Sequence, residues 1–165
     1  MPRTTPTDFL ALLKVLRNHG VDFIVVGGVG AVLHGAPVST FDLDVVHSRD
    51  DANIERLLGA LDELESYYRT QPEKRLRPGA SHLSSPGHQL LMTRFGPLDL
   101  LCAVGRSRDY TALLRHSVEM LIGQGVHVHV LSLETLIAVK EETAGDKDLA
   151  TLPILHRTLA EKSKP

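Results

Sequence analysis

The sequence predicts a mixed-sheet α/β (α+β) fold in one domain spanning residues 1–165. Three observations predict it. Helical and strand-like segments interleave along the chain. Two strand pairs are joined by turns too short for a crossover, so they must run antiparallel. A length of 165 residues is enough for one hydrophobic core without disulfides.

Each element follows in order. Thr7 is the expected N-cap of DFLALLKVLRNHG, an amphipathic helix stopped by Gly20. VDFIVV reads as a short apolar strand ending at Gly27-Gly28. VGAVLHG fits a short helix ended by Gly35-Ala36-Pro37, since proline cannot continue it. FDLDVV is the second strand. DDANIERLLGALDELESYY opens with acidic residues and keeps helical spacing, with Tyr67 and Tyr68 expected to close its end. From Thr70 to Gly87 the pattern vanishes, and three prolines, two glycines and a basic cluster predict a mobile loop over about 70–87. HQLLMTRF and PLDLLCAV form a hairpin at Gly96-Pro97, DYTALLRH a short helix, and VEMLIGQGVHVHVLS a hairpin near Gln124-Gly125. LETLIAVKEETAG is a helix ended by Gly145, and KDLATLPILHRTLAEK another with Pro153 in its early turns, which places C-terminal helices over about 132–162. The strands FIVV, FDLDVV and LDLLCA are expected side by side, with helices mainly on one face.

Composition narrows the function classes. The single cysteine, Cys102, lies in an apolar run, so it reads as a buried reduced thiol and no Cys-based zinc site is available. Lys14 and Arg17 interrupt the N-terminal apolar residues, against a signal peptide, and a cytoplasmic location is expected. The longest apolar run, Phe23 to Leu33, contains three glycines and is too short to span a bilayer. A net charge of −2 supplies no global field to draw in nucleic acid.

The segment VVGGVGAVLHGAPVSTFDLDVV carries the chemistry. A dinucleotide fingerprint would need glycine at Leu33, and no Gly-Lys-Ser/Thr phosphate loop occurs. Strand side chains alternate, so Asp42 and Asp44 project from one face about 6.5–7 Å apart, while Phe41, Leu43 and Val45 point into the core. Two convergent carboxylates can share Mg²⁺, which takes one or two carboxylates plus substrate phosphate oxygens. The Gly27-Gly28 turn lets backbone N–H groups approach a phosphate, with the following helix N-terminus adding positive potential. The other reading leaves both carboxylates facing solvent on a half-exposed strand.

Val-Gly-Gly, then Thr-x-Asp-x-Asp a dozen residues on, then a lone aspartate in a later apolar strand, resembles the nucleotidyltransferase superfamily of DNA polymerase β-like fold. Gly27, Gly28, Thr40, Asp42, Asp44 and Asp99 carry the likeness. LETLIAVKEETAGDKDLATL extends it toward the minimal nucleotidyltransferase toxins of the abortive-infection type, with Lys140 and Asp148 at the matching positions. The resemblance implies a nucleoside triphosphate held by Gly27, Gly28, Ser39, Thr40 and Lys140. It implies Mg²⁺, with Mn²⁺ as a substitute, held by Asp42, Asp44 and Asp99. Asp99, or Asp148 in the toxin-like branch, would complete the acidic set or activate the attacking hydroxyl, and Lys140 would neutralise triphosphate charge. The metals would stabilise the attacking and departing oxygens of an in-line displacement that releases pyrophosphate. The acceptor could be tRNA, a protein hydroxyl or a small molecule, with an antitoxin as partner and no membrane. Many relatives carry a basic residue where this chain has Val38 and Ser39, and an acidic one where it has Thr151. The first departure leaves triphosphate charge for Lys140, Arg94 or the basic loop to offset.

Other residues have plainer readings. His127 and His129 share one strand face without a third ligand, and His34 reads as a helix-face histidine. Arg69, Lys74, Arg75 and Arg77 could meet RNA phosphates or simply be solvated. The competing function is a catalytically silent nucleotide-binding or protein-interaction module of the same fold.

Overall fold

A computed structural model describes residues 5–143 and 145–164, with the side chains of residues 146–148 outside the described set. The chain begins with α1 (Phe9–Asn18), β1 (Phe23–Val26), α2 (Gly27–Leu33), β2 (Leu43–His47) and α3 (Asp51–Glu63). Its middle supplies β3 (Tyr67–Tyr68), a 3₁₀ turn over Pro72–Lys74, α4 (Ala80–Ser84), β4 (Gln89–Thr93), β5 (Gly96–Leu101), β6 (Ala103–Val104) and β7 (Arg108–Asp109). Then come α5 (Tyr110–Leu114), β8 (Ser117–Gly123), β9 (Val126–Leu131), α6 (Leu133–Thr143) and α7 (Asp146–Lys162).

Seven strands form one sheet in the order β3-β4-β5-β2-β1-β9-β8, and β6 and β7 pair apart from it. The sheet is mixed: β1 runs antiparallel to β2 and parallel to β9, while β2 runs parallel to β5. The β4–β5 and β8–β9 hairpins are antiparallel, as their short turns require. The expected adjacency of FIVV, FDLDVV and LDLLCA holds, since β1, β2 and β5 are neighbours.

Side-chain alternation divides the core in two. Val25, Leu43, Val45, Leu98 and Leu100 point to one face, where α1 and α3 bury Leu12, Leu16, Ile54 and Leu57. Ile24, Val26 and Val46 point to the other, against Leu133, Leu136, Ile137 and Leu155 of α6 and α7. Each fully buried leucine contributes about 1.5–3 kcal/mol. Helices therefore cover both faces rather than mainly one, because the central strands are apolar on both sides and each side must leave water.

Local chemistry corrected several boundaries. Asp8, not Thr7, caps α1, its Oδ1 accepting from Ala11 N–H at 3.0 Å. Thr7 Oγ1 instead donates to the Phe41 carbonyl at 2.7 Å. β2 begins at Leu43, so Phe41 precedes the strand and is 76% exposed rather than in the core. Tyr67 and Tyr68 do not close α3; they form β3, paired with Met92 and Leu91. The stretch expected as a structureless loop contains the 3₁₀ turn and α4, anchored by the buried Leu83. Tyr68 Oη adds a 2.5 Å bond to Gln89 Oε1 there. Cys102 is buried, as expected, with Sγ donating to the Pro86 carbonyl. Among the described residues, no helix is long and apolar enough to cross a membrane.

Candidate active site

The antiparallel β1–β2 pair brings the two ends of the glycine segment together. Val26 stands opposite Asp44, so Gly27, the next residue, lies against the Asp44 side chain. A methyl group on Gly27 would fall 2.5 Å from Asp44 Oδ2, and its φ of +65° is itself left-handed. A methyl group on Gly28 would fall 2.6 Å from Thr40 Oγ1. The protein's own side chains thus require both glycines before any ligand is considered. The pair is not a separate turn but the first two residues of α2, which begins directly at Gly27.

The parallel β2–β5 ladder sets Asp44 directly opposite Asp99. Both side chains lie on the face covered by α6 and α7, because Leu43, Val45, Leu98 and Leu100 take the other. Asp42 lies just before β2, two residues from Asp44 and more open to solvent. Asp44 Oδ1 is buried with no hydrogen-bond partner. Burial, then the Asp99 charge and hydrogen bond, then Asp42, push the Asp44 carboxyl up to about 7, with Arg69 opposing. An orphaned carboxylate oxygen in a crowd of acids is the chemistry of a cation site, and the carboxylates at 42 and 44 fit Mg²⁺. Among the described residues, however, no three His, Cys, Asp or Glu side chains form a group that could hold a metal ion.

A cleft of about 330 Å³ opens above these carboxylates, lined by Gly27, Gly28, Ser39, Thr40, Asp42, Asp44, Lys140 and Thr151 among others. α6 carries Lys140, packing its Leu136 and Ile137 into the core beside Gly30 of α2. A second, smaller space of about 150 Å³ shares Gly27, Asp44 and Lys140 with the first and is lined also by Leu101 and Leu136. Thus Gly27, Gly28, Ser39, Thr40, Asp42, Asp44 and Lys140 share one cleft, and Asp99 stands beside Asp44. The Asp148 side chain lies outside the described residues; its backbone falls in α7, three residues before Thr151.

The residue that spacing alone misplaced is Arg69. Its Nη1 donates to Asp99 Oδ1 at 2.5 Å and its Nη2 lies 3.7 Å from Asp42 Oδ2, so it belongs to the acidic face. Two other members of that basic cluster are also engaged: Arg77 pairs with Asp62 at 2.9 Å, and the Arg75 guanidinium sits 4.2 Å from the Tyr67 ring centre. The only trace in the sequence is the strand preference of the Tyr-Tyr pair before Arg69, too short a run to mark a strand. Arg94 lies over the Phe95 ring at 4.6 Å. His127 pairs with Glu119 at 3.6 Å, His129 lies 3.5 Å from Ser117 Oγ, and His34 is a buried C-cap bonded to the Leu131 carbonyl.

No protein-family model matches the chain, and no curated protein matches it. Solved structures share its fold. One is a Thermotoga maritima protein proposed to be a nucleotidyltransferase, 16% identical, with a TM-score of 0.56 over 93% of this chain and 91% of that one. Another is a lincosamide antibiotic adenylyltransferase with lincomycin bound, 13% identical, with a TM-score of 0.63 over 93% of this chain and 98% of that one. At such identities the likeness establishes the fold: a mixed sheet with flanking helices of the nucleotidyltransferase type.

Proposed function

We propose that this chain, acting as one catalytic domain, is a nucleotidyltransferase that moves a nucleoside monophosphate from a triphosphate to an acceptor hydroxyl. The carrying observation is the meeting in one cleft of three separate segments: the α2 glycines, the Asp42–Asp44 pair and Lys140. The hydroxyl oxygen forms a bond to the α-phosphorus, the bond from that phosphorus to the bridging oxygen breaks, and pyrophosphate departs. The hydroxyl proton passes to a carboxylate, Asp99 or, in the toxin-like version, Asp148. Gly27 and Gly28 let backbone N–H groups come close to phosphate oxygens, Ser39 and Thr40 add hydroxyl donors, and Lys140 offsets phosphate charge. Asp42 and Asp44 would hold Mg²⁺ or Mn²⁺, with Asp99 as the third member of the acidic set. When bound, that ion supplies Lewis-acid stabilisation of charge on phosphate oxygens.

Within this reading the acceptor is a small hydroxylated molecule rather than RNA. Its support is that Arg69, Arg75 and Arg77 are engaged within the protein. The fold neighbour crystallised with lincomycin is by its own name a lincosamide antibiotic adenylyltransferase. A toxin-like role, with tRNA or protein as acceptor and an antitoxin partner, rests on the Lys140 and Asp148 resemblance, and growth arrest on expression tests it. The cytoplasm, rich in triphosphates and Mg²⁺, is the proposed location.

Incubation with α-labelled triphosphates, Mg²⁺, total RNA and a lysate tests the activity. Label should pass to an acceptor and be lost in Asp44→Asn. No transfer to any fraction, with triphosphate binding retained, would make the chain a silent nucleotide-binding module instead.

A further inference from the structure

Arg69 reaches the acidic face from an unexpected direction. Its backbone N–H donates to the Leu90 carbonyl at 3.1 Å, one residue beyond the Tyr68–Leu91 pair of β3 and β4. Leu90 stands opposite Asp99, and Asp99 opposite Asp44, so Arg69 continues a row that crosses four strands to the catalytic cleft. The long side chain passes over β4. Nη1 donates to the Leu91 carbonyl at 2.9 Å as well as to Asp99 Oδ1, while Nη2 faces Asp42 Oδ2. The side chain is only 24% exposed.

We propose that Arg69 is a resident cation beside the cleft, a positioning residue that holds Asp99 and leaves the acidic face to take one divalent ion, at Asp42 and Asp44, rather than two. This rests on the nucleotidyl-transfer reading for Asp42 and Asp44 as cation ligands. Three features carry it. A guanidinium stays protonated at any accessible pH and presents a rigid fork of donors, so it can bond a carbonyl and a carboxylate together where a lysine would act as a point charge. Withdrawal would leave the Leu91 carbonyl without this donor and Asp99, 9% exposed, without its cation. Once a cation draws the proton from Asp44, Asp42, Asp44 and Asp99 together with Arg69 carry two net negative charges, which one divalent ion neutralises while Lys140 is left for the triphosphate. Asp42 and Asp44 line the cleft, whereas Asp99 Oδ1 is bonded to Arg69.

The test counts ions rather than turnover. Mn²⁺ binding is followed by the electron paramagnetic resonance of free Mn²⁺, with a non-hydrolysable triphosphate analogue at saturation. The wild-type chain should bind one Mn²⁺ and Arg69→Gln two, with Arg69→Gln less heat-stable in chelator and restored by Mn²⁺. Two ions in wild type would overturn the assignment of Arg69 while leaving nucleotidyl transfer standing. One ion in both proteins would overturn it as well, and no ion in either would overturn both readings. If Arg69→Gln does not fold, Asp99→Asn decides. Mn²⁺ affinity changed by less than about threefold supports an Asp99 held off the ion, and a loss of about tenfold or more, the scale of a lost ligand-shell group, overturns it.

Discussion

Asp44 and Asp99 face each other across the parallel β2–β5 ladder, in register and on the same side of the sheet. Two carboxylates so placed cannot both ionise cheaply when one of them has a buried oxygen with no hydrogen-bond partner. Their juxtaposition stores electrostatic strain at the cleft, which a cation relieves.

That strain gives stability a pH dependence. The folded Asp44 carboxyl lies near 7, above its ordinary 3.8, so between these values the folded chain keeps a proton that the unfolded chain has released. Its contribution is therefore fully present below about 3.8 and is lost as pH rises through about 7. Asp99, Asp42, Arg69 and the cleft-lining Lys140 are the charged groups facing it. Urea denaturation in chelator from pH 4.5 to 8 should show Asp44→Asn losing less stability than wild type over this range, and being the more stable protein at pH 8. Parallel profiles would remove Asp44 as the strained group.

His47 supplies a slope of the opposite sign. Its Nε2–H donates to the Leu83 carbonyl at 2.9 Å, its Nδ1 is buried without a partner, and burial holds its pKa below the ordinary 6.5. The unfolded chain takes up a proton there below 6.5 that the folded chain resists, so stability falls as pH drops through that value. His47→Leu should shrink the stability difference between pH 5.5 and 7.5, measured by the same denaturation.

Alanine at the two glycines separates backbone from side-chain cost. Gly27→Ala meets both a left-handed backbone and Asp44, and should lose about 1–3 kcal/mol or more. In an Asp44→Ala background only the side-chain part of that loss should be recovered, because the backbone part remains. Gly28→Ala displaces Thr40 without a left-handed φ. Thermal melts of the single and double variants give the partition.

Lys140→Ala should weaken triphosphate binding about tenfold or more, the equivalent of one charge-assisted bond, by calorimetry with a non-hydrolysable analogue. Asp148→Ala should lower turnover with the fold retained. A loss of only about 1 kcal/mol of stability with turnover unchanged would make Asp148 a first-turn acid of α7, favoured by the helix dipole.

Replacing Lys74, Arg75 and Arg77 with glutamine should leave the salt dependence of any RNA binding unchanged. A slope reduced by about one unit per removed charge would put RNA phosphates on that segment after all.

The parts of this fold legible in the sequence are those set by short-range rules. Gly35-Ala36-Pro37 ends the short helix because proline cannot continue it, and strand alternation puts Asp44 on the cleft face, with Asp42 joining it in the same cleft from just before β2. Tyr67–Arg69 was illegible for the converse reason. A two-residue strand carries no periodicity, and its existence depends on β4 offering an edge more than twenty residues later. Once those tyrosines are taken as a helix end, Arg69 falls in a loop and its carboxylate partners cannot be guessed. Phe41 failed differently: alternation was extended two residues past the true start of β2.

The order in which the cleft's walls occur along the chain matters during synthesis. Both glycines and all three carboxylates have emerged by residue 101, but Lys140 and Thr151 arrive only with the last two helices. β1 also lacks its parallel neighbour until β9 is made. A growing polypeptide thus passes through a stage in which the acids have Arg69 but not Lys140 beside them, and that net negative surface repels a polyanion. On the proposed function, grip on a triphosphate would begin only when the C-terminal helices dock, and unfinished or clipped chains would stay inert toward the nucleotide pool.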